Sequence, residues 1–216
     1  QNSYPKGGDP VGNDGARVSQ QPWSDRYAFT GTTLQDFPLP SALPLSRGRR
    51  LDELAQSLAA TSPSSVVDSA PPKPYVLSDA RKLAQNLLSR MVAEQEELDW
   101  ETYGLYGLID EDLTYKGDSL PEIEPGQRAF EITLARGSAN GTSGSTWFTR
   151  HGSAPVTEVP AEWPQDYRAL IQRRLDAIET NPSIRLLEKP EFKRRWATEP
   201  WDSQQERALR GWLLNR

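Results

Sequence analysis

"DARKLAQNLLSRMVAEQEELDWETYGLYGLI", residues 79–109, decides the fold. Leu83, Leu87, Leu88, Met91, Val92, Gln95, Leu98, Thr102 and Leu105 recur at helical spacing, with Trp100, Tyr103 and Tyr106 beside that stripe. The pattern predicts one helix of roughly 30 residues, about 45 Å long at the helical rise, with Ser78 as its N-cap. Helices of this length need a partner for their apolar face. The expectation is antiparallel packing against residues 47–60, or a bridge between two lobes.

Upstream, "RGRRLDELAQSLAAT" places Leu51, Leu54, Ala55 and Leu58 at helical spacing behind Ser46, which predicts a helix over residues 46–61. "SPSSVVDSAPPKPY" follows, and its prolines and serines form no stripe, so residues 62–76 read as a linker. Residues 1–22 are polar and aperiodic, a loop or arm. "WSDRYAFTGTTLQDFPLP", residues 23–40, carries β-favouring aromatics and threonines before a proline connector, which reads as one or two short strands leaving a sheet. A lone strand is not stable, so its pairing strands are expected upstream.

Downstream, "GQRAFEITLAR" predicts a short helix, "GSANGTSGS" a loop tip, and "TWFTRHGSAPVTEVPAEWP" an irregular connector. Three further apolar stripes close the chain. They are Tyr167, Leu170, Ile171, Leu175 and Ile178; Ile184, Leu186, Leu187, Phe192 and Trp196; and Trp201, Ala208, Leu209, Trp212 and Leu213. Asn181-Pro182 and Glu199-Pro200 punctuate them. The fold class is therefore mainly α, one long helix and a C-terminal three-helix group, preceded by a strand and loop segment from a sheet-containing module. Residues 1–45, 46–61, 62–76 and 77–216 are the expected divisions.

Composition narrows the chemistry. The absence of cysteine excludes disulfides, thiolate zinc sites and thiol nucleophiles, and makes a cytoplasmic setting the default. No apolar run reaches the length of a membrane span, and the first residues lack the basic and apolar parts of a signal peptide. A net charge of -5 argues against a general polyanion binder, so contact with nucleic acid requires a local basic patch. Seven tryptophans supply large apolar anchors for a chain of only 36% hydrophobic residues. The first residue is Gln1 and the apolar pattern runs to the last residues, so the chain reads as a piece of a longer polypeptide.

His151 is the single histidine, and no Gly-x-Ser-x-Gly elbow accompanies it, which favours a loop-fixing hydrogen bond over catalysis. The acidic stretch from Glu94 to Glu131 invites Mg²⁺ or paired-carboxylate chemistry, but its spacing matches no ligand loop. A helix face that is solvated or paired with basic residues is the preferred reading. Asp110, Glu111 and Asp112 stand where a helix ends, which points to a basic neighbour. The best phosphate-contact residues are Lys189, Lys193, Arg194 and Arg195, with Phe192 and Trp196 interleaved as stacking or core aromatics. Arg17, Arg26 and Tyr27 form a second set. No glycine-rich phosphate loop or dinucleotide fingerprint occurs, and Asn181-Pro182 lacks the second proline and aromatic of a methyltransferase motif, so it reads as a helix-breaking turn.

"RYAFTGTTLQDFPLP", "EQEELDWETYGLYGLIDEDLT" and "KRRWATEPW", taken in order with the intervening helices, resemble the PglX adenine-specific DNA methyltransferases of BREX (Pgl) phage-resistance systems over roughly residues 23–216. The resemblance implies a large cytoplasmic enzyme that moves a methyl group from S-adenosylmethionine to adenine N6 in a short double-stranded DNA site. Its Phe-x-Gly-x-Gly and Asn-Pro-Pro-Tyr motifs would lie upstream of Gln1. No catalytic, cofactor-binding or metal-binding residue is therefore carried over, and the segment is expected to bind no cofactor and catalyse nothing by itself. What the resemblance implies for it is the end of an upstream sheet-containing recognition module followed by helices that hold or read DNA or support the catalytic domain. The competing expectation is a helical module that docks other BREX proteins without touching DNA.

Overall fold

The computed structural model of the chain describes residues 31–141, 146–196 and 199–215. Two compact units divide it, Gln1–Ser41 and Ala42–Arg216. In the first, α1 (Gly31–Gln35) is a single helical turn. The strands expected over residues 23–40 are therefore replaced by helix at residues 31–35, and their earlier part, residues 23–30, lies outside the described residues. Local hydrogen bonds explain the change, since Asp36 donates its N–H to the Thr32 carbonyl at 3.0 Å without any partner strand.

The second unit is mainly helical, and no strand occurs among the described residues. Its axis is α4 (Pro74–Leu105). The helix begins before Ser78 because Pro74 takes the first helical position, where its missing N–H costs nothing, and Lys73 enters in an extended conformation. It ends short of Ile109 because Gly107 adopts φ +65°, which lets the Gly107 N–H reach the Gly104 carbonyl and the Leu108 N–H reach that of Tyr103. This pair of bonds is a Schellman stop.

α2 (Leu45–Ala60) runs antiparallel to α4, as the length of that helix predicts. Arg47 at its start bonds Glu101 near the end of α4, whereas Leu58 and Ala59 share a cleft wall with Ala84 and Leu88. Ser46 lies inside α2 and is not its cap; Pro44 precedes the helix without a side-chain cap bond. The segment read as linker also folds. α3 (Pro63–Ser69) starts on Ser62, whose hydroxyl accepts from the Ser65 N–H, and buries Pro63 and Val67. The Ser-Pro pair is a helix start, which the absence of a long stripe concealed.

α5 (Ala129–Ala139) and α6 (Trp147–His151) form a satellite core of Phe130, Ala135, Trp147 and Phe148. Two expectations change here: the loop tip begins only after Ala139, and the connector contains a buried aromatic turn closed by Gly152 at φ +61°. α7 (Gln165–Thr180) buries all five residues of its predicted stripe. The second stripe divides into α8 (Pro182–Leu187), capped by Asn181, and a 3₁₀ turn, Pro190–Phe192. Ile184 and Trp196 enter the core, while Leu186 and Phe192 are exposed. α9 (Trp201–Leu214) buries no residue fully and lies on α3 across an open cleft of about 540 Å³. The main core joins Leu54, Met91, Val92, Trp100, Tyr167 and Ile171 across α2, α4 and α7. Among the described residues no helix is long and apolar enough to cross a membrane.

Candidate nucleic-acid interface

Of the two readings of the acidic stretch of α4, the paired one holds and the solvated one does not. Glu94, Glu96 and Glu97 are 5%, 1% and 0% exposed, because α2, α7 and the segment after α8 all close over them. Burying three carboxylates requires counter-charges and donors, since an unpaired ion in the interior is very costly. Arg47 supplies Glu101 at 2.7 Å and Glu94 at 3.2 Å, and Arg50 reaches Glu94 at 2.8 Å. From α7, Arg174 binds Glu97 at 2.6 Å and gives two further bonds to the Leu113 carbonyl. The loop after α4 is pinned by the same carboxylate, which accepts the Tyr115 N–H at 2.7 Å.

Glu96 is held differently. Its Oε1 accepts from Trp100 Nε1 at 3.2 Å and from the Ala129 N–H at 3.3 Å, and the nearest cation, Arg174 Nη1, is 3.9 Å away. Burial and the neighbouring Glu188 push its pKa up to about 7, with Arg174 and Lys193 acting in the opposite direction. Burial works against the Arg174 charge, but the Glu97 carboxylate, with Glu96 behind it, more than offsets it, so the guanidinium pKa rises. Glu131 shows the balance in the other direction. Burial raises its carboxyl, and bonds from Arg128, Trp147 and Gly126 outweigh that, leaving it below the usual value.

The predicted phosphate-contact cluster is split by this network. Lys193 is buried: its ammonium bonds Asp99 at 2.9 Å, Tyr103 Oη at 2.9 Å and Glu188. Tyr103 in turn donates to Glu188 at 2.6 Å. Lys193 is thus an internal counter-ion and unavailable to a phosphate, a correction with a plain cause, since it sits against three acceptors that need a cation. Lys189, Arg194 and Arg195 are exposed. The Arg194 guanidinium lies 4.6 Å from the Trp196 ring, and the Arg194 carbonyl accepts from Arg128 Nη1 at 3.0 Å, which ties this extended segment to the start of α5. Arg17, Arg26 and Tyr27 lie outside the described residues.

Other sequence expectations find local explanations. His151 stacks on Trp147 with ring centroids 3.9 Å apart, and its Nδ1 bonds the Trp147 carbonyl, a fixing role within α6. Glu111 at the end of the α4 region meets Arg173 at 2.5 Å, and Asp112 meets Lys116 at 2.7 Å. The Lys116 ammonium and the Thr114 hydroxyl bring Asp112 down to about 2. Arg128, Arg174 and Glu188 are the residues that sequence reasoning missed. The signal for Arg174 was available: it stands one turn from Leu170, Ile171 and Ile178, within the apolar stripe of α7.

Comparison with known proteins places these features in a family. A family profile described as Domain of unknown function (DUF7008) matches residues 91–216, from the buried acidic part of α4 to the end of the chain. The adenine-specific methyltransferase PglX of Streptomyces coelicolor is 56% identical over 218 residues, an alignment covering 99% of this chain. The chain spans 18% of that relative's length. No solved structure matches. With more than half of its residues inside the family match, the chain belongs to the DUF7008 family.

Proposed function

We propose that the chain is part of a site-specific adenine-N6 DNA methyltransferase of a phage-defence system, contributing duplex binding, target recognition or support of a catalytic domain. The observation that carries this reading is the 56% identity to an adenine-specific methyltransferase over 99% of the chain. S-adenosylmethionine serves the whole enzyme as methyl donor, and no residue of this segment is assigned to it or to the reaction. The same reading puts the protein in the cytoplasm with the DNA.

Exposed Lys189, Arg194 and Arg195 support a contact with phosphates, because cations on a segment braced from below neutralise the backbone at little ordering cost. Arg17, Arg26 and Tyr27 remain in the proposal on sequence grounds. The test is fluorescence anisotropy of duplex DNA with the 216-residue chain across a salt series, repeated after Lys189, Arg194 and Arg195 are changed to alanine. Binding that weakens with salt and with the triple change supports the reading. Absence of binding at low salt by a folded chain removes DNA contact from this segment.

A second reading is favoured by a different observation. Leu213 and Leu214 at the end of α9 are 67% and 86% exposed, and the net charge is -5. Both suit a helical module that docks other proteins of the defence system.

A further inference from the structure

The interior around Glu96 holds more acid than base. On α4 stand Glu94, Glu96, Glu97, Asp99 and Glu101, and from the segment after α8 comes Glu188. Facing them are Arg47 and Arg50 of α2, Arg174 of α7, and Lys193. Six carboxylates therefore meet four cations. From α5 comes the Ala129 N–H, flanked by the Arg128–Glu131 pair, which is closed on itself at 2.9 Å, and α7 adds the neutral Tyr167 hydroxyl, whose own pKa burial drives upward.

The imbalance is concentrated on two residues. Arg174 gives its close contact to Glu97, and Lys193 is divided between Asp99 and Glu188, so the cation that faces Glu96 is Arg174 Nη1, at 3.9 Å and without a hydrogen bond. One oxygen of Glu96, Oε2, and one of Glu188, Oε2, are fully buried without a hydrogen-bond partner. Glu188 is matched on its other oxygen by Lys193 and Tyr103, whereas Glu96, sealed with an open oxygen and no cation within hydrogen-bond reach, is poorly satisfied when ionised. A single proton on Glu96 makes its open oxygen a donor and takes one negative charge out of the acidic cluster.

We propose that Glu96, beside the charged Glu188, is a buried proton-binding site whose proton, held at neutral pH, secures the 188–193 segment against α4. Glu188 and Lys193 are the groups through which that segment grips Tyr103 and Asp99, so loss of the proton places an extra negative charge beside the grip. The raised pKa of Glu96, about 7, is consistent with this arrangement. The sign follows by linkage. A carboxyl whose folded value lies above its ordinary 4.5 binds more protons folded than unfolded, so stability falls as pH rises between the two values and levels off above them.

The experiment is an infrared and thermal titration of the 216-residue chain between about pH 6 and pH 9, where ordinary carboxyls are already ionised. The expected result is a protonated-carboxyl carbonyl band that disappears near neutrality and is absent in Glu96→Gln. Over the same range the wild-type melting temperature should fall by about 5 °C while that of Glu96→Gln stays flat. Glu188→Gln, which removes the neighbouring charge, should move the wild-type transition to lower pH. A band that survives in Glu96→Gln, or a titration that Glu188→Gln leaves in place, overturns the proposal. So does a wild-type chain that shows no protonated carboxyl across the range, whether or not either variant folds.

Discussion

Arg174 Nη2 lies 2.6 Å from Glu97 Oε1, and neither side chain reaches solvent. The same guanidinium donates Nε and Nη2 to the Leu113 carbonyl at 3.0 and 2.7 Å, and the same carboxylate accepts the Tyr115 N–H. One ion pair thus fastens α7 to α4 and to the loop that follows α4. It turns an acidic helix into the core of the unit.

Removing one partner of that pair is expected to be far more harmful than loss of a surface bridge. Arg174→Met leaves Glu97 charged and sealed and the Leu113 carbonyl without its donor, and should destabilise the chain by about 3–5 kcal/mol. Arg174→Lys keeps the charge without the planar fork and should recover only part of the loss. Urea unfolding of the three proteins measures both. A loss from Arg174→Met no larger than that of an exposed pair such as Arg210–Glu206 contradicts the structural role.

Acid should release the start of α5. Glu131 accepts the Gly126 N–H at 2.8 Å, the Arg128 side chain at 2.9 and 3.0 Å and Trp147 Nε1 at 3.0 Å. Its carboxyl titrates below the ordinary value of 4.5, so the bonds it makes as an anion contribute fully above that value and are lost as pH falls through the lower, folded one. Glu131→Gln should reduce stability at neutral pH by about 1–3 kcal/mol. The difference from wild type should shrink on acidification, and a gap that widens toward low pH reverses the assigned sign.

Gly126 is a position where no side chain fits. Its φ is +105°, and an added Cβ would stand 2.5 Å from the Ala154 carbonyl oxygen. Gly126→Ala combines an unfavourable backbone with a clash against main chain, and should cost about 1–3 kcal/mol or more. Gly48→Ala, on α2 with open space around it, serves as the comparison and should be neutral or slightly stabilising. Thermal unfolding of the pair distinguishes local geometry from a general intolerance of glycine substitution.

Periodic apolar residues were enough to predict α4, its antiparallel partner and the complete buried face of α7. What periodicity did not convey was charge placed on those faces. A hydropathy pattern scores Glu96, Glu97 and Arg174 as solvent-seeking, yet Glu97 and Arg174 pair with each other and Glu96 accepts from Ala129, all far apart in the chain, and such contacts leave no local trace. Short elements were hidden for a related reason. α3 and α6 have too few turns to show a stripe, and Ser62-Pro63 and Trp147-Phe148 are their only cues. The basic run at residues 189–195 was visible, but its division into exposed and buried members depends on where Asp99 and Tyr103 stand on α4.

Under the proposed DNA contact, that division assigns folding and binding to different members of one short run. Lys193→Met removes a buried cation from Asp99, Tyr103 and Glu188, and should lower stability by about 3–5 kcal/mol. In whatever fraction stays folded, the salt dependence of duplex binding should be unchanged, because the ammonium faces inward. Arg194→Ala and Arg195→Ala should leave the unfolding midpoint nearly unaltered, and each should reduce the slope of log affinity against log salt by about one. Denaturation and anisotropy on the same three variants give both quantities. A Lys193→Met protein with full stability and a reduced salt slope would move that residue back to the surface set, and with it the acidic pocket assigned to α4.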